Sequence, residues 1–374
     1  MESRPERPVA AVDTPPTAVD LVSAVLSDAL GEVLPQATTH GPLYIRLWEE
    51  LGRAVRGGKR FRGRLVVELH DALGGRERGA AAQVGAAFEL LHAGFLVHDD
   101  LIDHDTMRRG EPNLAARMAE VARAAGAGWA GEQRLAEAAA VLAGDLAISL
   151  AHRLVATVTV PATAHARLQE VFWQTVFVSV AGELGDVAGA LRLQDLSLED
   201  ALRIAAEKTA RYSFQAPLLA GAVLAGSPPP VQAEVEAVGL ALGKAFQLVD
   251  DLLGVFVPES VTGKSALSDL REGKATTLVL HARTLPVWAV LEPHLGRPDL
   301  DEETFAVLRR ELARSTAPEA VAGQARAELE GARRLLAASA ALAPAAEVFS
   351  VVVTMVDRTL GDAERYVAAA AEGE

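Results

Sequence analysis

The sequence predicts an all-α protein, and three observations support that fold class. Apolar residues recur at helical spacing along nearly the whole chain. Half of the 374 residues are hydrophobic but only 5% are aromatic, and alanine and leucine, which favour helices over strands, dominate the apolar set. The sequence shows neither an alternating strand pattern with a tight turn nor a fixed-period repeat. We therefore expect long helices, several of them buried on most sides.

The order of these helices follows from their start and stop signals. We expect a disordered lead-in over residues 1–17, which are rich in acids and prolines, and then a single domain over residues 18–374. A capping-box pattern at Ser197–Asp200 predicts the start of a long helix that ends before Gly226. The Gly- and Ala-rich stretch Arg123–Arg134 is interpreted as an inter-helix loop. Other breaks are expected at Gly74-Gly75, Val160-Pro161, residues 227–230, Pro258 and residues 293–298.

Composition excludes several classes of function. The chain has no cysteine, so disulfides, thiolate metal sites and a cysteine nucleophile are excluded. A net charge of −14 argues against a nucleic-acid-binding surface. The N-terminus lacks the apolar core of a signal peptide, and Pro344 and Glu347 interrupt the most apolar stretch, Leu335–Val356. We interpret that stretch as a buried helix pair and expect a cytoplasmic protein without stable membrane insertion.

Two aspartate pairs, Asp99-Asp100 and Asp250-Asp251, follow apolar runs. Adjacent carboxylates in such surroundings are costly unless a cation lies between them. On a helix, Asp99 and Asp103 are neighbours at i and i+4 and share one face. Because all potential ligands are oxygens, the cluster favours Mg²⁺ over zinc. A solvated acidic helix end is the alternative interpretation.

Basic residues accompany the aspartates. Arg108 and Arg109 follow the first pair directly, and Lys264 and Lys274 follow the second pair on glycine-containing loops. Two further clusters are Gly57–Arg62 and Lys208-Thr209, the latter inside an apolar helix where an unpaired lysine is costly. Carboxylates and guanidinium or ammonium groups in this order are typical of a site in which metal and cations bind one phosphate from two sides.

Together these motifs resemble the polyprenyl diphosphate synthases, the trans-isoprenyl transferases, over about Tyr44–Lys274. The first family motif, DDxxD followed by RRG, is matched by Asp99, Asp100, Asp103, Arg108, Arg109 and Gly110. The second, usually DDxxD, is matched by Asp250 and Asp251 but has Gly254 at its fifth place. Glu183 also stands where a Gly-Gln-x-x-Asp segment of the family usually has glutamine. The resemblance implies an isoprenoid synthase type I helical bundle with a central active-site cavity.

The resemblance also implies a role for each matched residue. Asp99, Asp103 and Asp250 would ligate three Mg²⁺ ions, supported by Asp100 and Asp251. The allylic diphosphate would be held by Arg108, Lys208, Lys264 and Lys274. Isopentenyl diphosphate would be held by Lys59, Arg62, His92 and Arg109. Thr209 and Gln247 would stabilise the developing allylic cation, and a homodimer is expected.

Product length depends, in this family, on residues upstream of the first motif. Phe95 lies four residues before Asp99, Gly94 five and Phe88 eleven. We expect Phe95 to form a partial floor of the elongation pocket and Phe88 a deeper one, or both to be ordinary core residues. This pattern favours a C20 product, geranylgeranyl diphosphate, with farnesyl or longer polyprenyl diphosphates as alternatives.

Three related functions fit the sequence less well. A terpene cyclase needs an asparagine-containing second metal motif, and Asn113 is the only asparagine in the chain. A head-to-head synthase needs two DxxxD clusters, which Gly254 precludes. A non-catalytic subunit of a heteromeric synthase would be supported by loss of the first motif, which is intact from Asp99 to Asp103.

Overall fold

The computed structural model describes residues 16–257 and 268–373, and these are almost entirely helical. The first nine helices are α1 (Ala18–Ala37), α2 (Pro42–Val55), α3 (Phe61–Ala72), α4 (Arg78–Ile102), α5 (Leu114–Ala124), α6 (Trp129–Thr157), α7 (Ala162–Ala190), α8 (Leu198–Ala205) and α9 (Ala216–Leu224). The next seven are α10 (Pro229–Phe256), α11 (Ser268–Glu272), α12 (Thr277–Arg283), α13 (Trp288–Leu291), α14 (Glu302–Arg314), α15 (Ala317–Ala338) and α16 (Ala346–Glu372). Short 3₁₀ turns cover Thr38–His40, Glu292–His294 and Ala340–Ala345, a π-helical segment covers Ala206–Gln215, and a two-stranded hairpin joins β1 (Met107–Arg108) to β2 (Glu111–Pro112).

Several helix starts follow side-chain signals in the sequence. The capping box predicted at Ser197 is present, since the Ser197 hydroxyl accepts from the backbone N–H of Asp200 at 3.1 Å and the Asp200 carboxylate accepts from Ser197. Thr17 and Asp20 form a second capping box at the start of α1. Each box satisfies backbone donors that would otherwise lack a partner at the helix end. Thr17, assigned to the lead-in, is therefore a helix cap, whereas residues 1–15 lie outside the described residues.

The predicted loop over Arg123–Arg134 is mostly helical, which corrects the sequence interpretation. Helix α5 ends at Ala124 and α6 begins at Trp129, so the connection is only four residues long. Arg123 Nη2 donates to Glu132 Oε2 at 2.8 Å across this connection. The alanines favour helix, and the glycines need to open the chain only over residues 125–128.

Two apolar cores hold the bundle together. In one, α4 packs against α1, α3 and α6; in the other, α10 packs against α15, α16 and the π-helical segment. Phe88, Leu90 and Leu91 of α4 and Phe256 of α10 are fully buried. Burial of each such side chain contributes about 1.5–3 kcal/mol. Both aspartate-bearing helices are thus fixed along their length by apolar contacts.

Three helical stretches are long and apolar enough to cross a membrane by length and composition, namely Arg78–Ile102, Trp129–Thr157 and Ala340–Glu372. The most apolar window of the first is 72% buried inside the bundle, so its apolarity serves the core. The corresponding window of the third is 33% buried. The expectation that the chain does not insert stably into a membrane stays a prediction.

Candidate active site

The first aspartate pair lies at the C-terminal end of α4. The backbone N–H of Asp103 donates to the Asp99 carbonyl at 2.8 Å, which continues the helical turn, and both side chains line one cavity. The C-terminal end of a helix carries partial negative charge, so carboxylates placed there are disfavoured without a nearby cation. The fold therefore concentrates negative charge here, and nearby cations are needed to stabilise it.

The hairpin after α4 carries two arginines and aims the first of them at this acidic end. Arg109 and Gly110 have φ of 55° and 75°, the left-handed pair that a tight two-residue hairpin requires. Arg108, just before the turn, donates from Nε to Asp100 Oδ1 at 2.7 Å and from Nη2 to Asp99 Oδ2 at 3.3 Å. The Arg-Arg-Gly sequence thus fixes one guanidinium on the aspartate pair and sends the next away from it.

Lys208 enters the site from the π-helical segment. Such segments, whose hydrogen bonds run from i to i+5, are rare in proteins and often mark functional sites. Its ammonium lies 2.7 Å from Asp186 Oδ2, 3.0 Å from Glu183 Oε2 and 3.3 Å from Asp99 Oδ1. Burial lowers the pKa of Lys208, but Asp186, Asp99 and Glu183 outweigh burial and raise it above the ordinary value. The lysine is therefore charged throughout the neutral pH range.

The second aspartate pair is divided between the cavity and the protein interior. Asp251 is buried, and its carboxylate accepts from Thr277 Oγ1 at 2.6 Å, from Thr277 N at 3.1 Å and from Gln247 Nε2 at 3.0 Å. Burial raises the pKa of Asp251 to about 7, although these hydrogen bonds oppose the rise. Asp250, which is more exposed, lines the cavity beside it. Asp251 thus anchors α10 to α12, and Asp250 is the better placed metal ligand.

Lys274 connects the two acidic regions. Its ammonium lies 2.6 Å from Asp103 Oδ2, 2.9 Å from Glu272 Oε2 and 3.8 Å from Asp269 Oδ1. Burial lowers the pKa of Lys274, but the surrounding carboxylates, Asp269 foremost, raise it above the ordinary value. A residue 171 positions from Asp103 in sequence therefore shares its charge with the first motif.

These groups surround a cavity of about 1130 Å³ enclosed mainly by α4, α7, α10 and the π-helical segment. Among the described residues, nine carboxylic acids and four cationic side chains line it. Carboxylate oxygens of Asp99, Asp103 and Glu183 lie within 4.8 Å of one another. Such an excess of negative charge, with oxygen donors this close, fits hard divalent cations such as Mg²⁺. The predicted residues that line the cavity are His92, Asp99, Asp103, Arg108, Arg109, Lys208, Gln247, Asp250, Asp251 and Lys274.

A smaller basic cavity of about 90 Å³ adjoins the large one through His92 and Arg109. Lys59 and Arg62, both predicted to bind a diphosphate, line it with the backbone of Gly57 and Gly58. Arg62 Nη2 donates to Ser213 Oγ at 2.7 Å and to the Tyr212 hydroxyl at 3.3 Å, which orients the guanidinium. The structure therefore places all four residues of this predicted set around one anion-sized space.

His92 lies at the boundary between the two cavities as a neutral side chain. Burial and the nearby Arg62, Arg109 and Arg108 hold the pKa of His92 well below its ordinary value. Its Nδ1 lies 3.4 Å from the Tyr212 hydroxyl. His92 can therefore hydrogen-bond to an anion but adds no charge of its own.

Two predicted residues are placed differently from the expectation, and the placement of a third is not described. Thr209 does not line the cavity among the described residues, because Lys208 and Tyr212, four apart, occupy the inward face of the π-helical segment. Asp100 also lies outside the cavity lining and is buried against Arg108. Lys264 lies outside the described residues. The roles predicted for these three residues stay predictions.

Sequence reasoning left the direction of one side chain open and missed others. Glu183 points inward and contacts Lys208, although its sequence position indicated only a departure from the family pattern. Tyr212 and Asp269 also line the cavity. Spacing could have indicated Tyr212, which lies four residues after Lys208. The position of Asp269 depends on how α11 folds back over α10, which no local pattern predicts.

A family model described as polyprenyl synthetase matches residues 47–308 of the chain. The match covers more than half of the chain and includes both aspartate pairs, Lys208 and Lys274. The chain belongs to the polyprenyl synthetase family. The resemblance that the motifs indicated is thereby confirmed, as is the all-α fold class.

Curated polyprenyl synthetase relatives make different products. The chain is 33% identical to geranylgeranyl diphosphate synthase of Sulfolobus acidocaldarius over 226 residues, 60% of this chain and 62% of the relative. It is 36% identical to (2E,6E)-farnesyl diphosphate synthase of Mycobacterium tuberculosis over 245 residues, 65% of this chain and 60% of the relative. It is 32% identical to octaprenyl diphosphate synthase of Escherichia coli, over 60% of this chain and 62% of the relative. The matches span about 60% of the length of these relatives, and similarity alone does not select a product length.

Solved structures of the family share the fold. Geranylgeranyl pyrophosphate synthase of Corynebacterium glutamicum, complexed with isoprenyl diphosphate and magnesium, superposes with a TM-score of 0.81 at 24% identity, covering 96% of this chain and 99% of the other. Polyprenyl synthase of Caulobacter crescentus, complexed with calcium and isoprenyl diphosphate, superposes with a TM-score of 0.70 at 28% identity, covering 90% and 96%. The helical bundle is thus common to the family.

Proposed function

We propose that this protein is a polyprenyl diphosphate synthase, a transferase that joins isopentenyl diphosphate to an allylic diphosphate and releases inorganic diphosphate. One observation carries the proposal most strongly. Two acidic helix faces share a large cavity with partly buried lysines, and a separate basic cavity opens beside it. This arrangement provides two anion sites of different chemistry next to each other, as a reaction between two diphosphate esters needs.

The acidic side of the large cavity fits Mg²⁺. Asp99 and Asp103 on α4 and Asp250 on α10 face the same space and would hold the metal, for which we expect three ions. Bound Mg²⁺ would offset the charge that develops on a leaving diphosphate. The carboxylates of Asp99 and Asp103 are partly buried and held at the end of a helix, so little reorganisation is needed to bring them to the metal.

The cationic residues of this cavity would hold the allylic diphosphate. Lys208 and Lys274 are partly buried and charged, and Arg108 is fixed on the hairpin. Each already lies on a carboxylate of the metal-binding face. Their positive charges can therefore stabilise the diphosphate, beside the metal, as its bond to carbon breaks.

The basic cavity would hold isopentenyl diphosphate through Lys59, Arg62, His92 and Arg109. The double bond of isopentenyl diphosphate then attacks the allylic carbon as the C–O bond of the allylic diphosphate breaks. A new C–C bond forms, and the product loses one proton. The released diphosphate is the proposed base, so no catalytic histidine or serine is required. Apolar residues of the large cavity would exclude water from the cation, and Gln247 would face it with its amide oxygen.

The proposal is tested by mixing purified protein with isopentenyl diphosphate and an allylic diphosphate and measuring released inorganic diphosphate. We expect release that depends on both substrates and on Mg²⁺, and that stops when EDTA removes the metal. Release from the allylic diphosphate alone would instead indicate hydrolysis or cyclisation. No release with C5, C10 or C15 primers would refute the proposal.

Phe95 is the proposed floor of the elongation pocket, with a C20 product. Phe95 lines the cavity, and its ring lies edge-on to Tyr212 at 5.2 Å between centroids. Phe88 is fully buried against Phe172 and does not line the cavity among the described residues. Gly94 packs against α6, where an added Cβ would lie 3.0 Å from Ile148, and so does not open the pocket. These placements leave Phe95 as the residue of the three that a growing chain would meet.

Replacing Phe95 with alanine should therefore lengthen the products beyond those of the unmodified enzyme, because the removed ring leaves space beneath the aspartates. Chromatography of the dephosphorylated products measures this change. Phe88→Leu is the matched control: it should leave product length unchanged and cost about 1 kcal/mol of stability. An identical product profile for Phe95→Ala would contradict the assignment.

We also propose that the protein forms a homodimer through an apolar face of α7. Trp173, Phe177, Val180 and Leu184 lie at helical spacing on one face of α7, and each is more than half exposed. An apolar stripe of this size on a helix is typical of a protein interface. Phe177→Glu should reduce the mass measured by analytical ultracentrifugation from two chains to one, whereas Val351→Glu on α16 should not. A single-chain mass for the unmodified protein would contradict the proposal.

The predictions of one domain over residues 18–374 and of a cytoplasmic location complete the proposal. The first rests on the lack of a recognisable linker between the predicted helices, and the second stays a prediction. Fluorescence microscopy of a tagged protein would test the location.

A further inference from the structure

We propose that Asp269 supplies the carboxylate that the second aspartate motif lacks at Gly254, and so completes the metal-binding face of α10. This inference rests on the proposed function, because it assigns one more residue to the same metal site. Without Asp269, the second motif on α10 has one carboxylate fewer than the first motif, because Gly254 stands at its fifth place.

The two motifs present equivalent positions to the cavity. Asp99 on α4 and Asp103 at its C-cap are four residues apart, as are Asp250 and Gly254 on α10, so each pair shares one helical face. All four residues line the cavity. On α10, however, the second position carries no side chain. A carboxylate from elsewhere must reach that point if the two faces are to be matched.

Asp269 reaches it. A Cβ atom added to Gly254 would lie only 2.6 Å from Asp269 Oδ2, so this oxygen occupies the space where a side chain at position 254 would begin. Helix α11 holds it there, since Leu270 is buried and Arg271 Nη2 donates to the Leu300 carbonyl at 2.6 Å. The carboxylate is therefore presented from a neighbouring helix at the fifth place of the motif.

The charge arrangement agrees with this position. Lys274 Nζ lies 2.6 Å from Asp103 Oδ2 and 3.8 Å from Asp269 Oδ1, so one ammonium contacts the second carboxylate of the first motif and Asp269 together. The 3.8 Å contact is long for a direct ion pair, and Asp103 and Glu272 lie closer to the lysine. An electrostatic interaction with Lys274 alone would not require Asp269 to lie over Gly254.

The experiment titrates Mn²⁺, a spectroscopic probe for the Mg²⁺ site, into the full chain with inorganic diphosphate present and counts bound ions by electron paramagnetic resonance. Asp269→Asn should raise the Kd of the weakest bound Mn²⁺ about tenfold or more. Adding Gly254→Asp to that variant should restore most of the lost affinity, because it returns a carboxylate to the same place. Gly254→Asn in the same background is the matched control, with equal volume and no charge, and should restore none.

Two results would overturn the inference: a Kd for Asp269→Asn within about twofold of the unmodified protein, or equal recovery with Gly254→Asn and Gly254→Asp. Circular dichroism and thermal melting identify a variant that fails to fold, and the recovery by Gly254→Asp then decides the outcome. The titration contains no prenyl substrate. A protein that binds Mn²⁺ through Asp269 but does not condense prenyl diphosphates would refute the proposed function and leave this inference standing.

Discussion

Asp99→Ala is expected to reduce turnover by at least about a thousandfold, because it removes both a metal ligand and the carboxylate that orients two cations. Asp99 Oδ1 lies 3.3 Å from Lys208 Nζ and its Oδ2 lies 3.3 Å from Arg108 Nη2. Without it, the metal loses a ligand on α4 and each of the two cations loses one of the carboxylates that orient it. Steady-state condensation rates at saturating Mg²⁺ measure the effect.

The fold should survive this substitution. Asp186 and Glu183 still pair with Lys208, and Asp100 still binds Arg108, so no buried charge is left alone. Far-ultraviolet circular dichroism should therefore be unchanged. Asp145→Ala, which removes an exposed carboxylate from the cavity rim, is the control and should retain activity. Turnover of Asp99→Ala near the unmodified rate would show that the assigned metal ligand is wrong.

Lys208→Met should lower turnover about a hundredfold or more and also destabilise the protein, since one ammonium serves three carboxylates. Removing one partner of a buried ion pair costs about 3 kcal/mol, because the remaining charges are left without compensation. The pKa of Lys208 is raised above 10.5, so its stabilisation is fully present below that pH and is lost only as pH rises through the folded-state pKa. Urea unfolding at pH 7 measures the loss.

Mg²⁺ distinguishes this electrostatic explanation from simple loss of packing. The carboxylates released by Lys208→Met should bind Mg²⁺ more tightly, so added Mg²⁺ should raise the melting temperature of the variant more than that of the unmodified protein. Arg203→Met, which removes exposed ion pairs to Asp200 and Glu207, is the control and should cost at most about 1 kcal/mol. An equal effect of Mg²⁺ on both proteins would contradict the explanation.

Local spacing was sufficient to predict the first acidic cluster. Asp99 and Asp103 are related by one helical turn, so their common face follows from helix geometry alone. The capping box at Ser197 is equally local, since all its partners lie within three residues. Helix content and fold class follow from composition and periodicity for the same reason.

The rest of the site depends on contacts between distant segments. Lys274 meets Asp103 across 171 residues, and Asp269 meets Gly254 through the placement of α11. No periodicity in the sequence specifies either contact. Local spacing was also insufficient within the π-helical segment, because Lys208 lines the cavity whereas the adjacent Thr209 is not among the described residues that line it. The inward direction of the Glu183 side chain depends on how α7 packs against that segment, which the sequence does not specify.

The most direct test of the account is to size the product formed from radiolabelled isopentenyl diphosphate and C5, C10 or C15 allylic diphosphates, with and without Mg²⁺. We expect a linear prenyl diphosphate, with C20 as the main product, whose formation requires Mg²⁺. A labelled product of another length would contradict only the pocket assignment. No labelled prenyl product with any primer, in a folded protein that binds Mg²⁺, would contradict the account as a whole.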